Sequence, residues 1–184
     1  MLIVDDEESI RFGLSRLLEQ AGAKVECVAS LSAAAAALER LRPEAVLLDL
    51  KLPDSDGLSG LQKIRAARPE SHVVMMTGYG TIETAVAAVK AGAEDFLTKP
   101  VAPEHLFHVL LRIHDAIRLQ NENREKIRQG MPENDLLAAL GKPSEKLESK
   151  GRELSGRYTY LYADGKILVT LRNRVVTNVE TTFY

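Results

Sequence analysis

Five polar side chains stand where short, mostly apolar runs end. Asp5 and Asp6 follow residues 2–4, Asp49 follows 45–48, Thr77 follows 73–76 and Lys99 follows 95–98. A carboxylate at the end of a buried run is costly unless something pairs with it. Three carboxylates close together repel and raise one another's pKa unless a cation neutralises them. Mg2+ suits such a set, because it takes oxygen ligands and keeps several waters. A carboxylate on an edge of this kind can act as a nucleophile toward phosphorus. The incoming group then needs positive charge and donors around it. Lys99 offers the charge, Thr77 a hydroxyl, and the amides near Lys51 and Gly78 can face the oxygens.

For these side chains to meet, their strands must lie side by side and run the same way. AVLLD at 45–49, bounded by Pro43 and the turn residues 53–57, reads as a strand buried on both faces. Further strands are expected at 2–4, 73–76 and 95–98, with a weaker one at 24–28. Helices fall between them. One spans 8–21, with Ile10, Leu14, Leu17 and Leu18 at helical spacing and Gly22 as its stop. The second, 31–41, is rich in alanine and suited to close packing on a sheet. Leu58, Leu61 and Ile64 mark the third. The fourth, 81–91, puts Ile82, Ala85, Val86 and Val89 on one side before Gly92. Five strands alternating with helices imply an α/β fold, a parallel sheet with helices on both faces. Right-handed crossovers bring every carboxyl strand end to one edge, where open parallel sheets bind ligands. Taken singly, Asp5, Asp6 and Glu7 read as a solvated acidic cap on the first helix, and Asp49 as a turn residue. Four strands ending in polar groups on one edge read as a site.

The 184 residues suggest one or two domains. Apolar residues at 45% and charged residues at 27% form an ordinary soluble balance. Residues 1–102 carry 11 basic and 15 acidic groups; 103–130 carry 5 and 4; 131–184 carry 8 and 7. The last two regions are each net +1, too little for a nucleic-acid module. The single cysteine, Cys27, excludes an intrachain disulfide and fits a reducing compartment. Acidic residues from Asp5 onward interrupt any signal-peptide core, and no apolar run is long enough to span a bilayer. A cytoplasmic protein with no membrane insertion is the expectation.

VDDE at 4–7, LLDLKLP at 47–53, MMTGYG at 75–80 and DFLTKP at 95–100 together resemble the receiver domain of bacterial two-component response regulators. The resemblance covers about residues 1–120, and TIETAVAAVKAGAEDFLTKP is particularly similar to NtrC-type receivers. It implies a five-stranded, doubly wound, flavodoxin-like fold. It makes Asp49 the phosphoacceptor, supplied by a histidine kinase. Asp6, Asp49 and the backbone carbonyl of Lys51 would bind Mg2+, with Asp5 acting through water or toward Lys99. Thr77 and Lys99 would hold the phosphoryl group, and Lys99–Pro100 would be a cis peptide bond. Phe96, where many members carry tyrosine, would be the aromatic switch that reports on Thr77. Such a domain promotes only its own phosphorylation and dephosphorylation. The face built from the fourth helix, fifth strand and fifth helix usually dimerises or binds a partner.

The expected boundaries are a receiver at 1–102, a fifth helix extended into a linker at 103–130, and a small α+β module at 131–184. In the linker, Leu106, Leu110, Ile113 and Ile117 form an apolar seam that gives way to Gln120 and Arg124, and the helix can run to Gln129. His105, His108 and His114 read as surface or interface residues. Residues 133–140 form a short amphipathic helix. Tyr158, Tyr160 and Tyr162 alternate on a strand, Asp164-Gly165 makes a hairpin turn, Ile167, Val169 and Leu171 alternate on the return, and Asn173 marks another turn. A three-stranded antiparallel meander follows, with an additional strand possible near 144–150. This module loosely resembles the SmpA/OmlA-type small fold, without the lipoprotein cysteine. Neither a Walker motif nor helix-turn-helix, zinc-finger or bZIP spacing is present, so the output reads as a protein-interaction module with an unknown output protein, in a chain that forms a homodimer. The alternative is a transcriptional or RNA-binding regulator that uses the terminal sheet, with the tyrosine stripe stacking bases. A sheet face packed on the helix is the commoner reason for such a stripe.

Overall fold

Strand β3 (Ala45–Asp49) lies at the centre of a five-stranded parallel sheet, and all five of its residues are buried. Burying Val46, Leu47 and Leu48 contributes about 1.5–3 kcal/mol each, which fixes the strand despite the carboxylate at its end. The computed structural model describes residues 1–78, 81–125, 127–150, 154–162 and 165–183. The sheet also holds β1 (Leu2–Val4), β2 (Glu26–Val28), β6 (His72–Thr77) and β7 (Asp95–Thr98), in the order β2-β1-β3-β6-β7. A two-residue pair, β4 (Lys51–Leu52) and β5 (Ser55–Asp56), occupies the stretch expected to be a plain turn.

Helices α1 (Glu8–Gln20), α2 (Leu31–Leu41), α3 (Gly57–Ala67), α4 (Ile82–Lys90) and α5 (Pro103–Glu125) connect and follow these strands. Three of them start on a side-chain cap. Ser30 accepts from the Ala33 amide, Asp56 from Ser59 and Thr81 from Thr84. Each cap ends the preceding loop at a defined residue. The alanine-rich α2 buries Leu31, Ala34, Ala37 and Leu38, and its two small alanines let it pack closely into the main core with Val4, Val46 and Leu48.

The chain divides into two compact units, Met1–Ile113 and His114–Tyr184, and the division falls inside α5. The helix ends at Glu125, short of the expected Gln129, after its apolar seam has run out. Its buried positions are Leu106, Val109 and Ile113. Leu110 and Ile117 are only half-buried, because a 3.6-residue period brings Val109 under the helix where a 3.5-residue seam assigns Leu110. His105, His108 and His114 are exposed.

In the second unit, α6 (Glu133–Leu140) packs on an antiparallel sheet of four strands, β8 (Glu145–Lys150), β9 (Leu154–Tyr162), β10 (Gly165–Arg172) and β11 (Val175–Phe183), ordered β11-β10-β9-β8. The expected meander therefore has a full fourth strand. Its sequence, EKLESK, hides it from an alternation test, because edge strands are commonly charged to block further pairing. Tyr158 and Tyr160 are 2% and 3% exposed and pack with Leu136, Ile167, Val169, Leu171 and Val176. The tyrosine stripe is thus a core face. The Tyr158 hydroxyl donates to Glu133, and the Lys146 ammonium lies 4.8 Å from the Tyr158 ring centroid. Asn173 and Arg174, at φ 51° and 62°, form the tight turn between β10 and β11. The Tyr162 side chain and Asp164 lie outside the described residues, as do the Gln120 and Arg124 side chains.

Four of the five tyrosines lie at or beyond residue 158 and tryptophan is absent, so tyrosine fluorescence reports mainly on the second unit. Leu136→Ala removes a fully buried side chain of that unit's core. Urea melts followed by tyrosine fluorescence should show it less stable by about 2–5 kcal/mol.

Candidate functional site

Strand register brings the polar endings together. Val4 pairs with Leu48, and Asp49 with Met76, so Asp5 and Asp49 end neighbouring strands at one level. Thr77 pairs with Thr98, and the Lys99 amide donates to the Thr77 carbonyl at 2.7 Å. Asp5, Asp49 and Thr77 are all buried, whereas Asp6 is exposed.

Lys99 is the hub. Its ammonium lies 2.7 Å from Asp5 Oδ2, 2.9 Å from Asp49 Oδ2 and 3.1 Å from Glu7 Oε1, with the lysine side chain 8% exposed. Burial acts to lower the Lys99 pKa, but the close contacts with Asp5, Asp49 and Glu7 and the charge of Asp5 outweigh it and hold it above the ordinary value of 10.5. The folded-state value exceeds the unfolded one. Its stabilisation is therefore complete at neutral pH and fades only as pH climbs past the ordinary lysine range. Burial pushes the Asp5 carboxyl upward, and Lys99 with the Glu7 amide draws it partly back. Asp5 is held in place by that amide, 3.0 Å from Oδ1, and by Arg11, which donates to the Asp5 carbonyl at 2.7 Å.

The loop after Asp49 is clamped at its base. The Leu50 amide donates to the Met76 carbonyl at 2.7 Å, and the Gly57 amide to the Leu50 carbonyl at 2.6 Å. A Cβ on Gly57 would lie 2.4 Å from Leu50 Cα, so only glycine fits this approach. Lys51 therefore emerges at a fixed place beside Asp49. Asp6, Asp49, Lys51, Thr77 and Lys99, with Glu7 and Gly78, line one cleft of about 250 Å³.

Among the described residues, Asp5, Asp6 and Asp49 are the group of acidic, histidine or cysteine side chains close enough to share a cation, with ligand atoms within 4.8 Å of one another. Asp5 Oδ2 is fully buried and accepts no well-aligned hydrogen bond, although it contacts the Lys99 ammonium. An all-oxygen set with spare acceptor capacity fits a hard divalent cation. The linker histidines join no such group.

Phe96 is half-buried against the main core, and its amide donates to Asp95 Oδ1 at 2.7 Å. Asp95 Oδ2 in turn accepts from Arg112 of α5 at 2.7 Å. The Lys99–Pro100 peptide bond is cis. Tyr79 and Gly80 of the MMTGYG motif lie outside the described residues. The structure adds Glu7 to the constellation. It stands at the N-cap position of α1, yet its carboxylate reaches Lys99 and makes no cap hydrogen bond. Its only mark in the sequence is that it directly follows Asp5 and Asp6.

The family model of the response regulator receiver domain matches residues 1–111. The photosynthetic apparatus regulatory protein RegA of Rhodobacter capsulatus is 38% identical over 123 residues, covering 67% of each chain. The nitrogen assimilation regulatory protein NtrX of Azorhizobium caulinodans is 40% identical over 127 residues, 68% of this chain but only 28% of that protein. The beryllofluoride-activated NtrC4 receiver domain dimer, solved in solution, superposes with a TM-score of 0.56 at 39% identity, covering 62% of this chain and 93% of that one. No described helix is long and apolar enough to cross a membrane. With the parallel five-stranded sheet and the acidic edge already in place, these matches agree on one assignment: the chain belongs to the response regulator receiver family of bacterial two-component systems, with an NtrC-like receiver.

Proposed function

We propose that this chain is a cytoplasmic phosphorelay protein that accepts a phosphoryl group on Asp49 from a histidine kinase. The observation that carries the reading is the Lys99 ammonium, held against Asp49 at the mouth of a cleft that Thr77 also lines. An Asp49 carboxylate oxygen attacks phosphorus, the phosphorus–nitrogen bond to the kinase histidine breaks, and the imidazole leaves as an acyl phosphate forms. Lys99 and the Thr77 hydroxyl then receive the phosphoryl oxygens, with amides near Lys51 and Gly78 as further donors.

Asp5, Asp6, Asp49 and the Lys51 carbonyl would hold Mg2+, which when bound supplies positive charge to the crowded carboxylates and the incoming phosphate. Asp5, already turned to Lys99, would serve it at longer range than Asp6. The protein performs no chemistry on other substrates; it promotes only its own phosphorylation and dephosphorylation.

The response is a population shift in which Thr77 moves toward the phosphoryl group and Phe96 repacks, altering the face of α4, β7 and α5. Ile82, Val86 and Val89 of α4 are 81%, 45% and 54% exposed, an apolar stripe suited to a second copy. The likeness to a beryllofluoride-activated receiver dimer supports that reading. Residues 131–184 would act as the interaction module for an output protein. Burial of Tyr158 and Tyr160, together with the +1 charge of this region, weighs against base stacking.

Asp49→Asn should abolish labelling by a phosphodonor such as acetyl phosphate; acid-stable label in that variant would sink the assignment. Thr77→Ala should still be phosphorylated but lose most of the beryllofluoride-linked change in oligomeric state measured by light scattering. Equal dimerisation of native and variant chains would refute the switch. A gel shift with the full chain should give no salt-dependent DNA or RNA binding.

A further inference from the structure

We propose that Asp54 is a positioning residue for the cation site: its two-pronged grip on the start of α2 holds the loop that presents Lys51 to Asp49. This rests on the proposed Mg2+ site and adds to it a residue outside the cleft. Asp54 Oδ1 accepts from the Leu31 amide at 3.0 Å and Oδ2 from the Ser32 amide at 2.9 Å, across 23 and 22 residues of chain. The positive end of the helix favours an anion there, and these two amides hold the Asp54 carboxyl below the usual carboxylate range.

A plain helix cap is the simpler account. Yet α2 already has its own cap, since Ser30 accepts from the Ala33 amide at 3.2 Å. The loop has more to gain. Its base is fixed by the Leu50–Met76 and Gly57–Leu50 hydrogen bonds, and its exit by Asp56, which accepts from the Ser59 amide at 2.9 Å. Those contacts join the loop to the flanking strands and to α3. Asp54 ties the tip between β4 and β5 to α2, an element reached from another part of the chain. Lys51 pairs with Asp56 across that tip, so a tip that tilts carries the Lys51 backbone with it. Ligand-orienting groups outside a metal's immediate shell commonly change affinity by about 10–100-fold.

The test uses the full chain with Asp54→Ala, Asp54→Asn and Asp6→Asn, titrated with Mg2+ by calorimetry and melted in urea without Mg2+. Asp54→Ala should bind Mg2+ roughly tenfold more weakly, at the low end of the outer-shell range. Asp54→Asn, which keeps one acceptor oxygen, should fall between it and the native chain and carries the test if the alanine variant does not fold. By reciprocity, Mg2+ should slow hydrogen exchange at the Leu31 and Ser32 amides in the native chain and not in Asp54→Ala. Native Mg2+ affinity in Asp54→Ala, with or without a lower urea midpoint, would overturn the proposal and leave Asp54 a helix cap. Unchanged Mg2+ binding in Asp6→Asn would instead show that the cation site itself is misplaced, and would overturn both readings.

Discussion

The whole sheet edge depends on one ammonium. Lys99 faces three carboxylates, two of them on buried strand ends, and it is the ammonium that offsets the charges of Asp5 and Asp49 taken from water. The interaction is worth keeping because it is unfinished. Asp5 Oδ2 has acceptor capacity to spare, Asp6 stands exposed beside it, and the cleft is lined by Asp6 and Asp49 together with Thr77. A fully satisfied ion cluster would be a structural staple. On the proposed reading, this one would take a further cation and a further anion.

The rest of the receiver serves that arrangement by removing freedom. The five buried residues of β3 fix where Asp49 emerges. The Gly57–Leu50 approach fixes where the chain goes next, and the Lys99–Thr77 backbone bond couples the ends of two adjacent strands. The second unit follows the same economy with different parts. One short helix covers one face of its sheet, and the Tyr158 hydroxyl, which would otherwise be a buried donor, is satisfied by Glu133 at the start of that helix.

The receiver was legible because its signals are local and repeated. Each apolar run ends abruptly, and parallel topology turns four such endings into one edge. Glu7 was less legible, because a third carboxylate before a helix looks like a cap and only the fold shows it reaching Lys99. Asp54 was illegible for a related reason: it caps a helix that begins 23 residues earlier, and no periodicity or spacing rule links them. Strand β8 was faint because its charges serve an edge, where alternation is replaced by protection. The shift from Leu110 to Val109 under α5 reflects a choice of period that the seam alone did not settle.

The sequence distances within the site carry one more consequence. Lys99 reaches Asp49 across 50 residues and Glu7 across 92. A chain made from its amino terminus displays Asp5, Glu7 and Asp49 well before their counter-ion exists. Until β7 is synthesised, the ends of β1 and β3 lack the Lys99 ammonium that faces them. Lys99 thus joins strand ends that the chain makes far apart, so the ion cluster is complete only when β7 has packed beside β6.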